Sequence, residues 1–242
     1  PLMYYDNNVA GVLNLVRVLM DEGVDKFVSS STCAIYGDPE KLPLTEDQPK
    51  RPVSVYGRTK LMAEQILESV SKANGLKFAA LRYFNAAGAD LDAETGERHD
   101  PETHLIPNAI GAAIGRGGPM KFFGDDYPTR DGSCERDYIH VSDLADAHIL
   151  AADKLMQGEQ KLQLNLGTGQ GRTVLEVLKA VETATGRKVP YKIAPRRAGD
   201  AIALYADTTL SREKLGWTPK VSDIDTIVSS AWAFHRKTWG VE

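Results

Sequence analysis

The sequence predicts an α/β protein in which helices cover the faces of a parallel β-sheet. Two strand-like runs, 26–31 and 77–85, are separated by a helical pattern that begins at Tyr56 and continues to about Lys72. A strand, a helix and a strand of these lengths form a βαβ unit, which joins parallel strands. The second run, FAALRYF, is apolar without alternation, as expected of a strand that is buried on both faces.

The elements around this unit follow from the same kind of pattern. Apolar residues recur every three or four positions between Val9 and Met20, which predicts an amphipathic helix, and Gly23 stands where its C-cap belongs. A proline-rich loop, DPEKLPLTEDQPKRP, leads to the second helix, and Asn74-Gly75 ends that helix. The first third of the chain is therefore predicted to run helix, strand, helix, strand.

Later segments alternate between helices and strands after a polar loop from Ala86 to about Pro101. The helical patterns are THLIPNAIGAAIGRG, SDLADAHILAADKLM with Ser142 as N-cap, TVLEVLKAVETATG, and segments from about Thr208 and about Asp223. The strand patterns are MKFFG, YIHV, LQLNLGTG, VPYKIAP and ALYAD. No linker separates the parts of the chain, so a second domain must be interleaved with the first.

Composition excludes several classes of protein. The 242 residues carry a net charge of −4, with 42% hydrophobic and 26% charged residues. This balance lacks the basic surface of nucleic-acid-binding proteins, and no apolar run reaches the roughly 18–20 residues of a membrane-spanning helix. Cys33 and Cys134 cannot build a disulfide framework, which favours a reducing compartment. We expect a cytoplasmic protein with no nucleic-acid and no membrane partner.

The strongest chemical signal is Tyr56 followed by Lys60 at the start of the second helix. Residues at i and i+4 lie on one helical face, and a nearby ammonium lowers the pKa of a phenol, which makes it usable as an acid/base. The same spacing also occurs in surface helices. The position of the Tyr56–Lys60 pair favours a catalytic role over a surface helix pair. The hydroxyl run 29–32 and Asn85 lie where parallel strands end, and open α/β sheets bind ligands at that edge.

The runs FVSSSTCAIYG, SVYGRTKLMAEQIL and LRYFNAAGA resemble the extended short-chain dehydrogenase/reductase family. The later segments HLIPNAI, KFFGDDYPTRDGSCERDYIHVSDLADAH, LNLGTGQGRTVLEV and APRRAGD are similar to the UDP-hexose 4-epimerases of that family. The resemblance implies a partial Rossmann-like doubly wound parallel sheet with an interleaved, smaller C-terminal α/β substrate domain. It places the NAD-binding part at 1–85 and about 138–168, and the UDP-sugar-binding part at 86–137 and 169–242.

The resemblance also implies the reaction and its residues. A tyrosinate removes the proton of the sugar 4-hydroxyl, and a transient 4-keto sugar forms while NAD carries the hydride, a reaction of galactose metabolism. The implied catalytic residues are Ser31, Tyr56 and Lys60, and the implied NAD contacts are Asn7, Tyr56, Lys60 and Tyr83. The implied UDP-sugar contacts are Ser31, Asn85, His104, Leu105, Phe123, Arg136, Tyr138, Arg197 and Asp200.

The sequence also bears on other reactions and other sites. Related 4,6-dehydratases follow the hydroxyl residue with an Asp-Glu pair, where this chain has Thr32 and Cys33. A UDP-pentose or UDP-N-acetylhexosamine 4-epimerase stays open, because Leu204 is intermediate in size where the family varies. The run GTGQG after a strand is interpreted as a structural turn. His99, Asp100, Glu102 and His104 are expected to form a polar loop and no metal site, since nothing in the sequence sets a ligand geometry.

The chain contains no GxGxxG turn, the feature that opens the first βαβ unit of a Rossmann fold. The resemblance predicts that roughly 60–90 residues of the family pattern precede Pro1. We therefore expect the chain alone to bind NAD weakly and to have little epimerase activity, and a non-enzymatic UDP-sugar-binding fragment is the alternative from another class. The family's homodimers use helices that correspond to 7–22 and 56–72.

Overall fold

A computed structural model describes residues 1–197 and 199–241, and these form two compact units. The first unit comprises Pro1–Phe84, Ala145–Leu166 and Ala206–Thr218. The second comprises Asn85–Leu144, Gly167–Tyr205 and Pro219–Glu242, of which Ala198 and Glu242 lie outside the described residues. The chain thus passes repeatedly between the units, as the lack of a linker indicates.

The helices follow the predicted order with shifted ends. They are α1 Leu2–Tyr5, α2 Gly11–Asp21, α3 Val55–Asn74, α4 Leu105–Ala113, α5 Val141–Met156, α6 Val174–Thr185, α7 Thr209–Leu215 and α8 Ile224–Trp239. A π-helical turn, Asp6–Ala10, joins α1 to α2, and a 3₁₀ turn, Cys33–Ile35, follows the first strand. The first helical stretch therefore starts earlier than the apolar periodicity predicts.

The strands are short except in the first unit. They are β1 Lys26–Thr32, β2 Lys77–Tyr83, β3 Asn85–Ala87, β4 Met120–Phe123, β5 Glu135–Arg136, β6 Tyr138–His140, β7 Lys161–Leu166, β8 Arg172–Thr173, β9 Tyr191–Ala194 and β10 Ala203–Leu204. The predicted strand 77–85 is divided in two at Phe84. The break occurs because Asn85 leaves the first sheet, donates its N–H to the carbonyl of Asp137 and pairs with β6.

The first unit is built on a parallel sheet in the order β1-β2-β7. Its central strand β2 is buried along most of its length, which explains the apolar run without alternation. Helices α2 and α3 pack on it through a cluster that includes Val16, Leu67 and Phe78. The predicted parallel βαβ arrangement is confirmed.

The segment 206–218 belongs to the first unit, although the sequence placed it in the second. Ala206 forms a parallel bridge with Leu44, and the N–H of Asp207 donates to the Leu44 carbonyl at 2.9 Å. Helix α7 then packs against β7. These contacts join residues far apart in the chain, so periodicity within the segment could not reveal them.

The second unit packs helices α4, α6 and α8 around a core that includes Ile110, Val181 and Ile227. Its strand pairs β3-β6 and β4-β9 are parallel, and β5 lies between β10 and β8. In the GTGQG run, the N–H groups of Thr168 and Gly169 donate to the Asp137 carboxylate at 2.8 and 3.0 Å. Because these amides are already engaged within the protein, the run is a structural turn.

Candidate functional site

Tyr56 and Lys60 lie in the first turns of α3, in the first unit. The hydroxyl of Ser54 caps this helix by accepting the N–H of Gly57 at 3.0 Å. The Lys60 ammonium lies 5.9 Å from the centroid of the Tyr56 ring and donates to the carbonyl of Ser30 at 3.1 Å. The two side chains therefore share a helical face at the carboxyl end of β1, as the i,i+4 spacing predicts.

A glycine allows α3 to approach this strand end closely. A Cβ added at Gly57 would lie 2.3 Å from the carbonyl oxygen of Ala34, far inside van der Waals contact. Only a residue without a side chain fits there, so Gly57 sets how near Tyr56 comes to the end of β1. Gly57 is not among the residues predicted for the site, and the sequence signal for its role is a glycine directly after the tyrosine.

The structure contradicts the predicted role of Ser31. The Ser31 side chain is 2% exposed, and its hydroxyl donates to Oε1 of the buried Glu64 at 2.5 Å. The side chain of the next residue, Thr32, instead lies close enough to Tyr56 to affect the pKa of its phenol. Successive side chains of a strand point to opposite faces, and Ser31 shares its face with Phe27, which packs on the core. Thr32 is therefore the hydroxyl that reaches Tyr56.

Burial dominates the electrostatics of this cluster. It raises the pKa of Tyr56, while the hydrogen bond from Thr32 opposes this rise by stabilising the phenolate. Burial also lowers the pKa of Lys60. The predicted lowering of the phenol pKa by the ammonium is wrong for this structure, because Lys60 donates to the Ser30 carbonyl rather than to the phenol oxygen.

The two further residues predicted to contact NAD also lie in the first unit. Asn7 is exposed on the π-helical turn Asp6–Ala10, a local geometry that recurs at functional sites. Tyr83 ends β2, and its ring centroid lies 6.3 Å from that of His148. The Nε2 atom of His148 is 3.0 Å from the hydroxyl oxygen of Ser30. His148, which the sequence analysis missed, thus connects Tyr83 to the end of β1.

In the second unit, a cavity of about 580 Å³ brings together eight of the predicted UDP-sugar contacts. These lining residues are Asn85, His104, Leu105, Phe123, Arg136, Tyr138, Arg197 and Asp200. The ninth, Ser31, lies in the first unit. The cavity also has lining residues that the sequence did not suggest, among them Glu102, Asn108, Cys134 and Val174. Its volume is that of a site for a ligand of drug-like size.

Two guanidinium groups and an aromatic face give this cavity its chemistry. Arg136 is held by the carbonyls of Glu135 and Ala201 at 2.8 and 2.9 Å, and its Nη2 lies 3.7 Å from the Asp200 carboxylate. The guanidinium carbon of Arg197 lies 3.8 Å from the centroid of the Phe123 ring. One guanidinium group can hydrogen-bond to two oxygens of a phosphate at once. An aromatic face stacks on a planar base. The cavity therefore suits a ligand with a phosphate group and a flat ring.

Comparison with known proteins gives the family of this chain. Residues 1–167 match the profile of the NAD dependent epimerase/dehydratase family. The chain belongs to this family.

Its similarity to characterised members extends over almost the whole chain. It is 48% identical over 236 residues to a UDP-glucose 4-epimerase of Lactobacillus helveticus, covering 98% of this chain and 72% of that protein. The crystal structure of UDP-glucose 4-epimerase from Brucella ovis in complex with NAD superimposes with a TM-score of 0.94 at 49% identity, covering 97% of this chain and 72% of that one.

A second solved structure extends the comparison to a nucleotide sugar. It is a UDP-glucose-4-epimerase from Stenotrophomonas maltophila with bound NAD and formylated UDP-arabinopyranose. It superimposes with a TM-score of 0.95 at 40% identity, covering 100% of this chain and 72% of that one. Among the residues that the structure describes here, none of the helices is long and apolar enough to cross a membrane.

The loop before α4 makes contacts that the sequence did not predict. His104 lines the cavity as predicted, but its Nδ1 also hydrogen-bonds to Oε1 of Glu97, which raises the pKa of His104. Ligating atoms of Glu97, His99, Glu102 and His104 all lie within 4.8 Å of one another. The fold of the loop also brings in Glu97, which was not among the residues considered from the sequence.

Proposed function

We propose that this chain carries the acid–base and substrate-binding residues of a UDP-hexose 4-epimerase that interconverts UDP-glucose and UDP-galactose in galactose metabolism. The observation that carries the proposal is the cavity of the second unit, around which eight residues from distant parts of the chain converge. Membership of the epimerase/dehydratase family and 48% identity to a UDP-glucose 4-epimerase support it.

The second unit supplies the residues that bind the nucleotide. Arg136 and Arg197 bind the diphosphate through guanidinium hydrogen bonds, and Phe123 lies against the uracil ring. Asn85 and Asp200 offer an amide and a carboxylate, which hydrogen-bond to sugar hydroxyls. In the structure described here, Arg197 lies over Phe123, so the uracil and this guanidinium compete for one aromatic face.

The first unit supplies the acid–base chemistry. Tyr56 takes the proton of the sugar 4-hydroxyl, which allows the hydride to leave C4 and a transient 4-keto sugar to form. Thr32 takes the place first assigned to Ser31, because its side chain is the one beside the phenol and favours the ionised form. Lys60 carries the positive charge on the same helical face.

The donor groups of the first unit fit the nicotinamide half of NAD. The Asn7 amide, the Tyr83 ring and the Lys60 ammonium are hydrogen-bonding or stacking groups suited to the carboxamide, the nicotinamide ring and the ribose. When bound, NAD accepts the hydride from the sugar and returns it to the opposite face. The 242 residues contain no GxGxxG turn for the pyrophosphate, so we propose that this chain alone binds NAD weakly and turns over little substrate.

Calorimetry with UDP tests the cavity directly. We expect UDP to bind the chain, and Arg197→Ala to weaken binding about tenfold or more, since a hydrogen bond to a charged group contributes about 1.5–3 kcal/mol. The matched control is Arg196→Ala, because Arg196 pairs with Asp126 at 2.7 Å and stacks on Tyr127. No UDP binding, or equal losses in the two variants, would contradict the assignment of the cavity.

Turnover and NAD binding separate the enzyme from a binding fragment. If the chain binds UDP but shows neither UDP-galactose turnover nor NAD binding, it is a non-enzymatic UDP-sugar-binding fragment under those conditions. Tight NAD binding in calorimetry, or substantial turnover, would refute the proposal of weak activity. Any turnover that is present must disappear in Tyr56→Phe.

The assignment of Thr32 has a test that does not depend on turnover. Ultraviolet titration of the chain, with the curve of Tyr56→Phe subtracted, isolates the ionisation of Tyr56. We expect Thr32→Val to raise the pKa of Tyr56, because the hydrogen bond from Thr32 stabilises the phenolate. Ser31→Ala should leave this pKa unchanged, and the reverse result would restore Ser31 to the site.

The preferred sugar is a separate question. Leu204 in β10 pairs with Arg136 in β5, and Arg136 lines the cavity. A UDP-pentose or UDP-N-acetylhexosamine 4-epimerase is the second candidate, and the bound UDP-arabinopyranose derivative of the S. maltophila enzyme favours testing it. Relative turnover of UDP-galactose, UDP-N-acetylgalactosamine and UDP-arabinose decides between them.

We also propose a cytoplasmic homodimer that forms through α2 and α3. Leu15 and Val18 are 45% and 57% exposed on α2, which is unusual for large apolar side chains on one helical face. Light scattering after size exclusion measures the mass, and Val18→Glu should shift a dimer to monomer. A monomer in the unchanged chain would contradict this arrangement.

A further inference from the structure

The loop that precedes α4 gathers two imidazoles and two carboxylates. Along the chain they follow the pattern Glu97-x-His99-x-x-Glu102-x-His104. Each residue offers one ligating atom, and all four atoms lie within 4.8 Å of one another. The cluster belongs to the second unit, and the acid–base residues of the first unit take no part in it.

The separations between His99 and the two glutamates are close to those of a small tetrahedral site. Nδ1 of His99 lies 3.1 Å from Oε1 of Glu97 and 3.6 Å from Oε2 of Glu102. Nδ1 of His104 lies 3.8 Å from the other carboxylate oxygen of Glu102, Oε1. Zinc bonds to histidine nitrogen and carboxylate oxygen are about 2.0–2.2 Å long, which places neighbouring tetrahedral ligands about 3.3–3.5 Å apart. The contact between Nδ1 of His104 and Oε1 of Glu97 is closer than two ligands of one ion can be, so these two side chains must move apart to admit the ion.

The carboxylate of Glu102 is already oriented. Its Oε1 accepts the backbone N–H groups of Thr103 and His104 at 2.7 and 2.8 Å. The other oxygen, Oε2, faces His99. Hydrogen bonds of this kind orient a metal-binding carboxylate and are a regular part of metal sites.

The position of Glu97 is set by its neighbour Gly96. Gly96 forms an antiparallel bridge with Ala89 and lies so close to α8 that an added Cβ would be 2.4 Å from the Phe234 ring. The chain is therefore held against α8 directly before Glu97, which restricts where the Glu97 side chain can lie.

We propose that Glu97, His99, Glu102 and His104 bind a zinc ion. Imidazole nitrogen ligands favour zinc over calcium and magnesium, which prefer sites made of oxygen alone. Four protein ligands complete a tetrahedron, so the site is structural and leaves no open position for chemistry. The side chains of His99 and His104 are 51% and 61% exposed, so the ion enters directly from solvent.

The position of the site gives it a consequence. Glu102 and His104 also line the 580 Å³ cavity, and Leu105 begins α4 at its wall. An ion held here would stabilise the segment that leads into α4. We therefore expect zinc to raise the thermal unfolding midpoint, because a ligand bound only by the folded state stabilises it.

Zinc binding to the full 242-residue chain tests the site. We expect one zinc ion per chain with micromolar or tighter affinity, measured by competition with a chromogenic chelator. His99→Ala and Glu97→Gln should each weaken binding by more than about tenfold, the loss that removal of even an outer partner produces. Cobalt(II) bound in place of zinc should show the intense visible absorption of four-coordinate N/O sites.

Asp100→Asn is the matched control. Asp100 lies in the same loop and is exposed, but it is outside the four-residue cluster, so this variant should bind zinc as the unchanged chain does. Circular dichroism confirms that each variant folds. Equal affinities of His99→Ala and Asp100→Asn, or zinc uptake only at millimolar concentration, would overturn the proposal and leave an ion-paired cluster of histidines and glutamates.

Discussion

Replacing Glu64 by Gln tests how strongly one buried ion pair holds the first unit together. The side chains of Arg82 and Glu64 are 1% and 3% exposed. Arg82 donates twice to the carboxylate, at 3.0 and 2.6 Å. The hydroxyl of Ser31 donates at 2.5 Å and the amide of Gln163 at 3.2 Å. The carboxylate thus accepts hydrogen bonds from three side chains that lie far apart in the sequence.

Glutamine at position 64 removes the negative charge. Its NH₂ group is a donor, so it faces one of the groups that donate to the carboxylate and cannot accept from it. The remaining guanidinium of Arg82 is then buried without a counter-charge, although the phenol oxygen of Tyr36 still accepts from it at 2.9 Å. Removing one partner of a buried ion pair costs about 3–5 kcal/mol. With a urea m-value of about 2 kcal/mol/M, the unfolding midpoint should fall by about 1.5–2.5 M.

The assay needs a signal from the first unit alone. Trp217 lies in the first unit and is 3% exposed, whereas Trp232 and Trp239 lie in the second. Urea unfolding is therefore followed by tryptophan fluorescence in a Trp232→Phe, Trp239→Phe background. The buried environment of Trp217 makes its emission sensitive to unfolding of this unit.

A surface glutamate on the same helix is the control. Glu68 pairs with Lys161 at 3.2 Å and Lys72 at 3.4 Å with 34% of its side chain exposed. Exposed pairs contribute at most about 1 kcal/mol, so Glu68→Gln should shift the midpoint little. If Glu64→Gln lowered the unfolding free energy by no more than Glu68→Gln, the structural importance given to the buried pair would be refuted.

Other predictions concern packing, hydrogen bonding and pH. Ser31→Ala should lower the unfolding free energy by about 1.5–3 kcal/mol, the contribution of a hydrogen bond to a charged group, and urea titration checks it. Gly57→Ala should destabilise by about 1–3 kcal/mol, because its Cβ would lie 2.3 Å from the Ala34 carbonyl. The helical control Gly11→Ala should be neutral or stabilising. Burial lowers the pKa of His140, so the stability it contributes is present above about pH 6.5 and is lost as the pH falls toward its lowered value. His140→Asn should flatten the fall in unfolding free energy between about pH 7 and 5.5, and an unchanged slope would contradict this.

Local patterns in the sequence determined the elements of the first unit and one pair of site residues. The apolar run of β2 and the helical period of α3 depend on which face each residue presents to its neighbours, and that is a property of the segment itself. Tyr56 and Lys60 lie on one helical face for the same reason. A glycine after the tyrosine was equally visible, although its role emerged only from the 2.3 Å approach to Ala34.

Which of two adjacent hydroxyls lies beside Tyr56 was decided by the tertiary structure. Pairing of Ser31 with Arg82 sets the register of β1 on β2, and a shift of one residue would exchange the faces. In this register Ser31 points to Glu64 and Thr32 to Tyr56. A run of four hydroxyl residues carries no local signal for that choice.

The tertiary structure also decided which residues meet around the cavity and in the loop before α4. The eight predicted contacts around the cavity span residues 85 to 200, and only the packing of the second unit brings them together. Glu97 joins the histidines because Gly96 is wedged against Phe234, which is far away in the chain. Spacing along a chain determines geometry within a helix or strand, whereas in loops it is set by packing against distant segments.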